Sequence, residues 1–119
     1  MLLVDTSVWV DHLRKGDAAL EEALLDGRVG THPFVIGEIA LGTLHDRETV
    51  LGALCDLPRA TRASDDEVFT FIDRQALHGR GVGYVDAHPL ASTLLTPETR
   101  LWTRDKRLAA VAVALGVSA

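Results

Sequence analysis

The sequence predicts an α/β fold, and three observations carry that prediction. Short apolar runs with strand character alternate along the chain with helical segments. Aromatic residues make up only 5% of the chain, so the core must be built mainly from Leu, Val, Ala and Ile, a composition that suits helices on a parallel sheet. Four acidic residues, Asp5, Glu38, Asp86 and Asp105, each sit just after or within an apolar run. A carboxylate beside a buried strand is costly unless it is paired, hydrogen-bonded or bound to a cation.

The elements follow in order. Leu2 to Val4 is a short buried strand, and Thr6 or Ser7 can cap a helix from Val8 to about Arg14. Lys15-Gly16-Asp17 breaks it, and a second helix runs from about Ala18 to Leu25 with Gly27 just past its end. Arg28 to Thr31 reads as the second strand. Pro33 opens the next helix, where its missing N–H removes no bond. Apolar residues fall on every side of this helix over 33–44, which predicts burial and places Glu38 in the interior or against an interface.

Asp46 to Leu57 reads as a helix ended by Pro58, and Arg59 to Arg62 as a short third strand. Ser64-Asp65-Asp66-Glu67 is a capping-box signature for a helix reaching about His78. Gly79-Arg80-Gly81-Val82-Gly83 is a loop; it lacks the ending and the setting of a phosphate cradle. A helix beginning near Asp86 leads to Leu95, Arg100 to Thr103 is the next strand, and a last helix runs from Lys106 to Leu115 before Gly116.

The bulk properties bound the function. At 119 residues, with 47% hydrophobic and 24% charged content, residues 1–119 read as a single domain with one core. The lone cysteine, Cys55, excludes an internal disulfide and a thiolate zinc cluster, and is expected as buried apolar filler. No stretch approaches the ~20 apolar residues of a membrane span, and the N-terminus lacks a basic n-region and cleavage site; a cytoplasmic location is expected. A net charge of −5 argues against a protein that coats nucleic acid, though a nuclease whose acidic site is offset by a metal ion remains compatible.

In an open parallel sheet, ligands bind outside the carboxyl ends of the strands where strand order reverses. Asp5 and Asp105 directly follow predicted strands, Asp86 opens the helix leading into the last strand, and Glu38 lies within reach of the same edge. A hard divalent cation is the natural reason to gather four carboxylates. Each aspartate alone has a blander reading as a helix N-cap; Glu38, in an apolar helix, has none. His12, His32, His45, His78 and His88 show no metal-ligand spacing, and His88 is at most a rim residue beside Asp86. Trp9 and Trp102 lie in apolar surroundings and are expected in the core.

These pieces resemble PIN-domain ribonucleases and, within them, the VapC toxins of type II toxin–antitoxin pairs. The likeness rests on Leu3-Val4-Asp5-Thr6-Ser7-Val8-Trp9, Glu38, Val85-Asp86-Ala87-His88 and Leu101-Trp102-Thr103-Arg104-Asp105-Lys106-Arg107-Leu108. The resemblance implies a PIN-like parallel sheet of about five short strands flanked by helices. It also implies Mg²⁺ or Mn²⁺ on Asp5, Glu38, Asp86 and Asp105, endonucleolytic cleavage of structured RNA such as tRNA or rRNA, a homodimer, and inhibition by a cognate VapB-like antitoxin. Thr6, Ser7 and Thr103 can donate hydrogen bonds that fix the carboxylates. Arg14, Lys15, Arg80, Arg104, Lys106 and Arg107 are candidates for an RNA-facing rim, against the plainer reading of solvated surface charges.

One residue departs from the pattern. Pro89 stands where such toxins carry an aliphatic residue. Proline is tolerated in a helix's first turn, so the helix is expected to start at Asp86 or Ala87; an earlier start would remove the bond to the Val85 carbonyl. Rival readings are a metal-dependent phosphatase and a phosphorylated receiver-like module. The first wants Asp-x-Asp after the first strand, but position 7 is Ser, and the second wants an acidic pair that is absent there. A catalytically inactive PIN scaffold that only binds partners is the third.

Overall fold

The computed structural model describes residues 1–119 as three strands and seven helices. The strands are β1 (Leu2–Val4), β2 (Val29–Gly30) and β3 (Arg100–Trp102). The helices are α1 (Thr6–Lys15), α2 (Ala18–Leu25), α3 (Pro33–Ala40), α4 (Arg47–Asp56), α5 (Asp65–Arg74), α6 (Tyr84–Leu95) and α7 (Lys106–Ala114). All pairings are parallel in the order β2-β1-β3, with Leu3 opposite Gly30 on one side and Leu101 on the other.

The sheet is narrower than the expected five strands. The segment 59–62 shrinks to a single bridge, Thr31 with Arg59, and Ser118 makes a matching bridge with Leu101 at the far edge. Each edge segment pairs on one side only, which leaves no second neighbour to extend its ladder. Five parallel segments therefore lie side by side, and three of them are strands.

Successive strand residues point to opposite faces. Val4 joins Val8, Trp9, Leu20, Val35, Ile39 and Leu54 on one face, whereas Leu3 joins Leu90, Leu101, Leu108 and Val111 on the other. Trp9 is buried and Trp102 packs on the same cluster, as expected. Helices α1 to α4 thus cover one face, and α6 and α7 the other. No helix is long and apolar enough to cross a membrane.

Several local expectations are corrected. The 33–44 helix ends at Ala40; only Val35 and Ile39 in it are buried, Leu41 is 90% exposed, and Glu38 lies at the surface and not in the interior. An eight-residue helix turns too little of its surface inward to bury every apolar side chain. Helix α5 stops at Arg74, short of His78, with Ala76 at φ +51. Cys55 is exposed, because α4 buries only Leu54 and turns its neighbour outward.

Helix α6 begins at Tyr84, two residues before Asp86, capped by Gly83. Pro89 therefore lies beyond the first turn, against expectation. It cannot donate to the Val85 carbonyl. Val85 is 44% exposed, so water can reach the region of the freed carbonyl. The bond from Ala87 N to Gly83 O, at 3.0 Å, fixes the start of the helix ahead of the proline.

Candidate active site

β1 and β3 are adjacent, but the chain leaves β1 towards β2 and returns to the opposite side at β3. Strand order reverses between them, and their carboxyl ends open the crevice where an α/β sheet places its ligands. Asp5 follows β1 directly. Asp105 lies three residues past β3, Glu38 reaches in from α3, and Asp86 from the first turn of α6.

Asp5 is held by a directed hydrogen-bond network. Arg104 N donates to Ser7 Oγ (2.9 Å), and Ser7 Oγ donates to Asp5 Oδ2 (2.7 Å). Asp105 N donates to Thr103 Oγ1 (3.1 Å), and Thr103 Oγ1 donates to the same Asp5 oxygen (2.9 Å). Both relays begin on the β3–α7 loop and converge on Oδ2, which also accepts Ser7 N at 3.3 Å. Asp5 Oδ1 accepts nothing. The carboxylate is thus buried and fixed by one oxygen while the other stays available.

Asp105 is arranged in the same way. Its Oδ1 accepts the backbone N–H groups of Arg107 and Leu108, both at 3.0 Å, leaving Oδ2 unused. Both aspartates are N-caps, Asp5 for α1 and Asp105 for α7. The cap of α1 is therefore Asp5 itself and not the expected Thr6 or Ser7. Capping consumes one oxygen of each carboxylate and orients the second, so the structural role and a ligand role are compatible.

Glu38 accepts only a 3.5 Å contact from Thr6 Oγ1, and Asp86 makes no side-chain hydrogen bond. Partial desolvation at the surface, then the charge of Asp5, raises the Glu38 carboxyl above its usual range against the lowering effect of Thr6. Burial, then Asp5, Glu38 and Asp105, pushes Asp86 from 3.8 up to about 6. Asp86 thus feels the charge of the other three carboxylates, and Glu38 that of Asp5. As the side chains stand, no three donors converge on a single point suited to an ion. The donor set is nonetheless all oxygen, two oxygens are free by construction, and the excess negative charge matches what a hard divalent cation relieves.

The rim residues divide. Arg104 is committed elsewhere: its guanidinium pairs with Asp11 (2.5 Å) and Asp17, tying the loop before Asp105 to α1 and to the cap of α2. These partners raise its pKa; Arg104 in turn lowers that of Asp11, and the Leu20 N–H, then Arg104, lowers that of Asp17. Arg14 and Lys15 are exposed in the last turn of α1, where they favour the helix C-terminus. Arg14 also lines an open groove of about 500 Å³ with Val10, Leu13, Glu38 and Leu44. Arg80 and Lys106 are exposed and form no ion pair. Arg107 lies across Gly81, where an added Cβ would stand 2.5 Å from its Cδ.

His88 is buried and not at the rim, between Phe34 (4.5 Å) and Tyr84 (4.6 Å). It faces inward because α6 packs on α3 at this turn. His32, missed as a helix cap, accepts Phe34 N on Nδ1 at 3.0 Å; its position just before Pro33 was the available signal. A hollow of about 450 Å³ between α5 and α6 contains none of the four carboxylates.

The sequence matches the PIN domain family over residues 2–114. It is also 49% identical over 118 residues to proteins named Ribonuclease VapC32 from two strains of Mycobacterium tuberculosis, CDC 1551 / Oshkosh and ATCC 25618 / H37Rv. Each alignment covers 99% of this chain and 95% of the relative.

Proposed function

The chain belongs to the PIN-domain family, in its VapC branch, and from that premise we propose that it is a metal-dependent endoribonuclease toxin. The observation that carries the reading is the mutual charge of Asp5, Glu38, Asp86 and Asp105 at the carboxyl edge of the sheet, with Asp86 lifted to about 6. These four residues would hold Mg²⁺ or Mn²⁺. When bound, the cation supplies a water acidic enough to attack near neutral pH and offsets charge on the scissile phosphate.

The protein's own part is positioning. Ser7 and Thr103 lock Asp5 through Oδ2 and leave Oδ1 without a hydrogen bond, free to serve as a ligand. The first N–H groups of α7 lock Asp105 likewise. Glu38 and Asp86, unanchored, can turn to complete the coordination or to orient the attacking water. Exposed Arg107, Lys106, Arg80, Arg14 and Lys15 would meet the phosphates flanking the cut.

The same reading assigns structured RNA, such as tRNA or rRNA, as substrate, the cytoplasm as location and a VapB-like antitoxin as partner. A basic antitoxin residue would complement the acidic crevice. Exposed Leu41 on the α3–α4 turn supports association with a second copy or with that antitoxin. Family membership leaves the phosphatase reading without support.

The test is cleavage of total RNA by antitoxin-free protein with Mg²⁺, Mn²⁺ or EDTA, beside Asp5→Asn and Asp86→Asn. Discrete products that require metal and vanish in both variants are expected. Cleavage that persists in EDTA, or in the variants, would overturn the assignment.

A further inference from the structure

The chain has six aromatic residues besides histidine, three Phe, two Trp and one Tyr. Both tryptophans are taken up by the core or pack against it. The most exposed of the rest, Phe69 at 53% and Tyr84 at 43%, lie against each other with ring centroids 5.7 Å apart. They continue a row: Tyr84 meets buried His88 edge-on at 4.6 Å, His88 meets Phe34 at 4.5 Å, and the Arg62 guanidinium lies over Phe34 at 5.5 Å.

This strip approaches the carboxylates at its Phe34 end, whereas Tyr84 and Asp86, two residues apart on α6, point to different sides of that helix. Phe34 and Glu38 are one turn apart on the same face of α3, about 6 Å along its axis. A strand passing its phosphate over the carboxylates would lay a neighbouring base over the rings.

Resting on the ribonuclease reading above, we propose that the exposed rings of Tyr84 and Phe69 form a stacking platform for an unpaired nucleobase of the RNA near the scissile phosphate, with Phe34, covered by Arg62 and His88, as its support. Every base has a π-face, and aromatic side chains take unpaired bases on theirs. The platform is set in advance: the Tyr84 hydroxyl donates to Asp65 at 3.0 Å, and His88 supports the ring from below. Its flanks suit a base better than a phosphate at the Tyr84 end, where Asp65 can accept from an exocyclic amine but would repel an anion. Arg62, at the Phe34 end, suits the backbone. The platform also explains how a chain of net charge −5 can hold RNA, since stacking does not depend on net positive charge.

The experiment measures binding apart from cleavage. Single-stranded ribohexamers of each base are titrated, in Mg²⁺, against Asp86→Asn protein carrying Tyr84→Leu or Phe69→Leu. Each leucine variant is expected to weaken binding about fivefold or more, the lower end of one base–aromatic contact. Ring-conserving Tyr84→Phe and Phe69→Tyr should stay within about twofold of the parent, and the leucine effect should persist at high salt because stacking is not screened. Hexamer binding that ignores both leucine changes, or that is undetectable in the parent, would overturn the platform. Unchanged binding together with a dimer that becomes a monomer would make the strip an interface between copies instead. Cleavage of total RNA by the wild type, run in parallel, judges the nuclease reading separately.

Discussion

Thr103 Oγ1 donates a 2.9 Å hydrogen bond to Asp5 Oδ2, joining residues 98 positions apart at the carboxyl ends of β3 and β1. The same hydroxyl oxygen accepts Asp105 N, so one side chain sets the positions of two candidate ligands. Thr103→Val keeps the shape and removes both bonds. Metal-dependent cleavage is expected to fall by about 10- to 100-fold, the range for partners that orient a ligand. Stability is expected to drop by about 1–2 kcal/mol, since an N–H loses its acceptor. Cleavage rates with Mg²⁺ and urea melts of the variant check both numbers; full activity would mean that Asp5 is held adequately by Ser7 alone.

Asp86 differs from Asp5 in having no hydrogen bond to compensate its charge. Its pKa in the folded chain, about 6, lies above the ordinary 3.8. The native state therefore keeps a proton that the unfolded chain releases, and this contribution is present below pH 3.8 and lost as pH rises through about 6. Without metal, Asp86→Asn should be more stable than wild type at pH 7 by about 1–3 kcal/mol, allowing for screening by water. The difference should vanish towards pH 4. Asp5→Asn is a poorer probe, because it also weakens a three-donor network. Urea melts in EDTA across this pH range make the comparison, and an Asn variant less stable at pH 7 would count against a repulsive cluster.

His32 works in the opposite direction. Burial, then the charges of His88 and Arg62, pushes its pKa from 6.5 down to about 4. Protonation would also take the Nδ1 lone pair that accepts Phe34 N. The folded state refuses a proton that the unfolded chain accepts, so stability is lost as pH falls from about 6.5 towards 4, by up to about 3 kcal/mol. His32→Asn can retain the cap and should flatten this slope, even if the smaller side chain lowers stability at every pH. The slope of metal-free stability between pH 7 and 4.5, wild type against variant, is the readout; parallel profiles would exclude His32 as the source.

How far the sequence could be read depended on how local each signal was. Asp5, directly after a buried apolar run, and Asp105, three residues past one, stand out because a carboxylate so close to a buried strand is a local anomaly, and sheet topology then places both at one edge. Helix starts at Pro33 and Ser64 were legible for the same reason: caps act within three residues. The start of α6 differs from the expected one because Gly83, and not the restriction at Pro89, sets where the helix begins. Arg104 looked like an RNA contact because Asp11 and Asp17 meet it only in the folded chain. The aromatic strip was invisible in the sequence, since its members come from α3, α5 and α6 and meet only through helix packing.

That contrast between arginines separates Arg104 from Arg107. Arg104 spends its charge on Asp11 and Asp17, whereas Arg107 has no ionic partner and is shaped by Gly81, whose φ of +79 and missing Cβ let the side chain lie across the loop. If the rim contacts phosphate, Arg107→Ala should weaken RNA binding uniformly across sequences and reduce the slope of log affinity against log salt by about 1. Arg104→Ala should leave that slope unchanged and instead loosen the Asp105 loop, lowering the cleavage rate more than binding. Gly81→Ala should mimic Arg107→Ala in binding without removing any charge, because the new methyl displaces the guanidinium arm, and the left-handed backbone should cost about 1 kcal/mol besides. Salt titrations of RNA binding on the three variants decide the matter. Equal slopes for Arg104→Ala and Arg107→Ala would show that ion pairing within the fold does not determine which arginine meets the RNA.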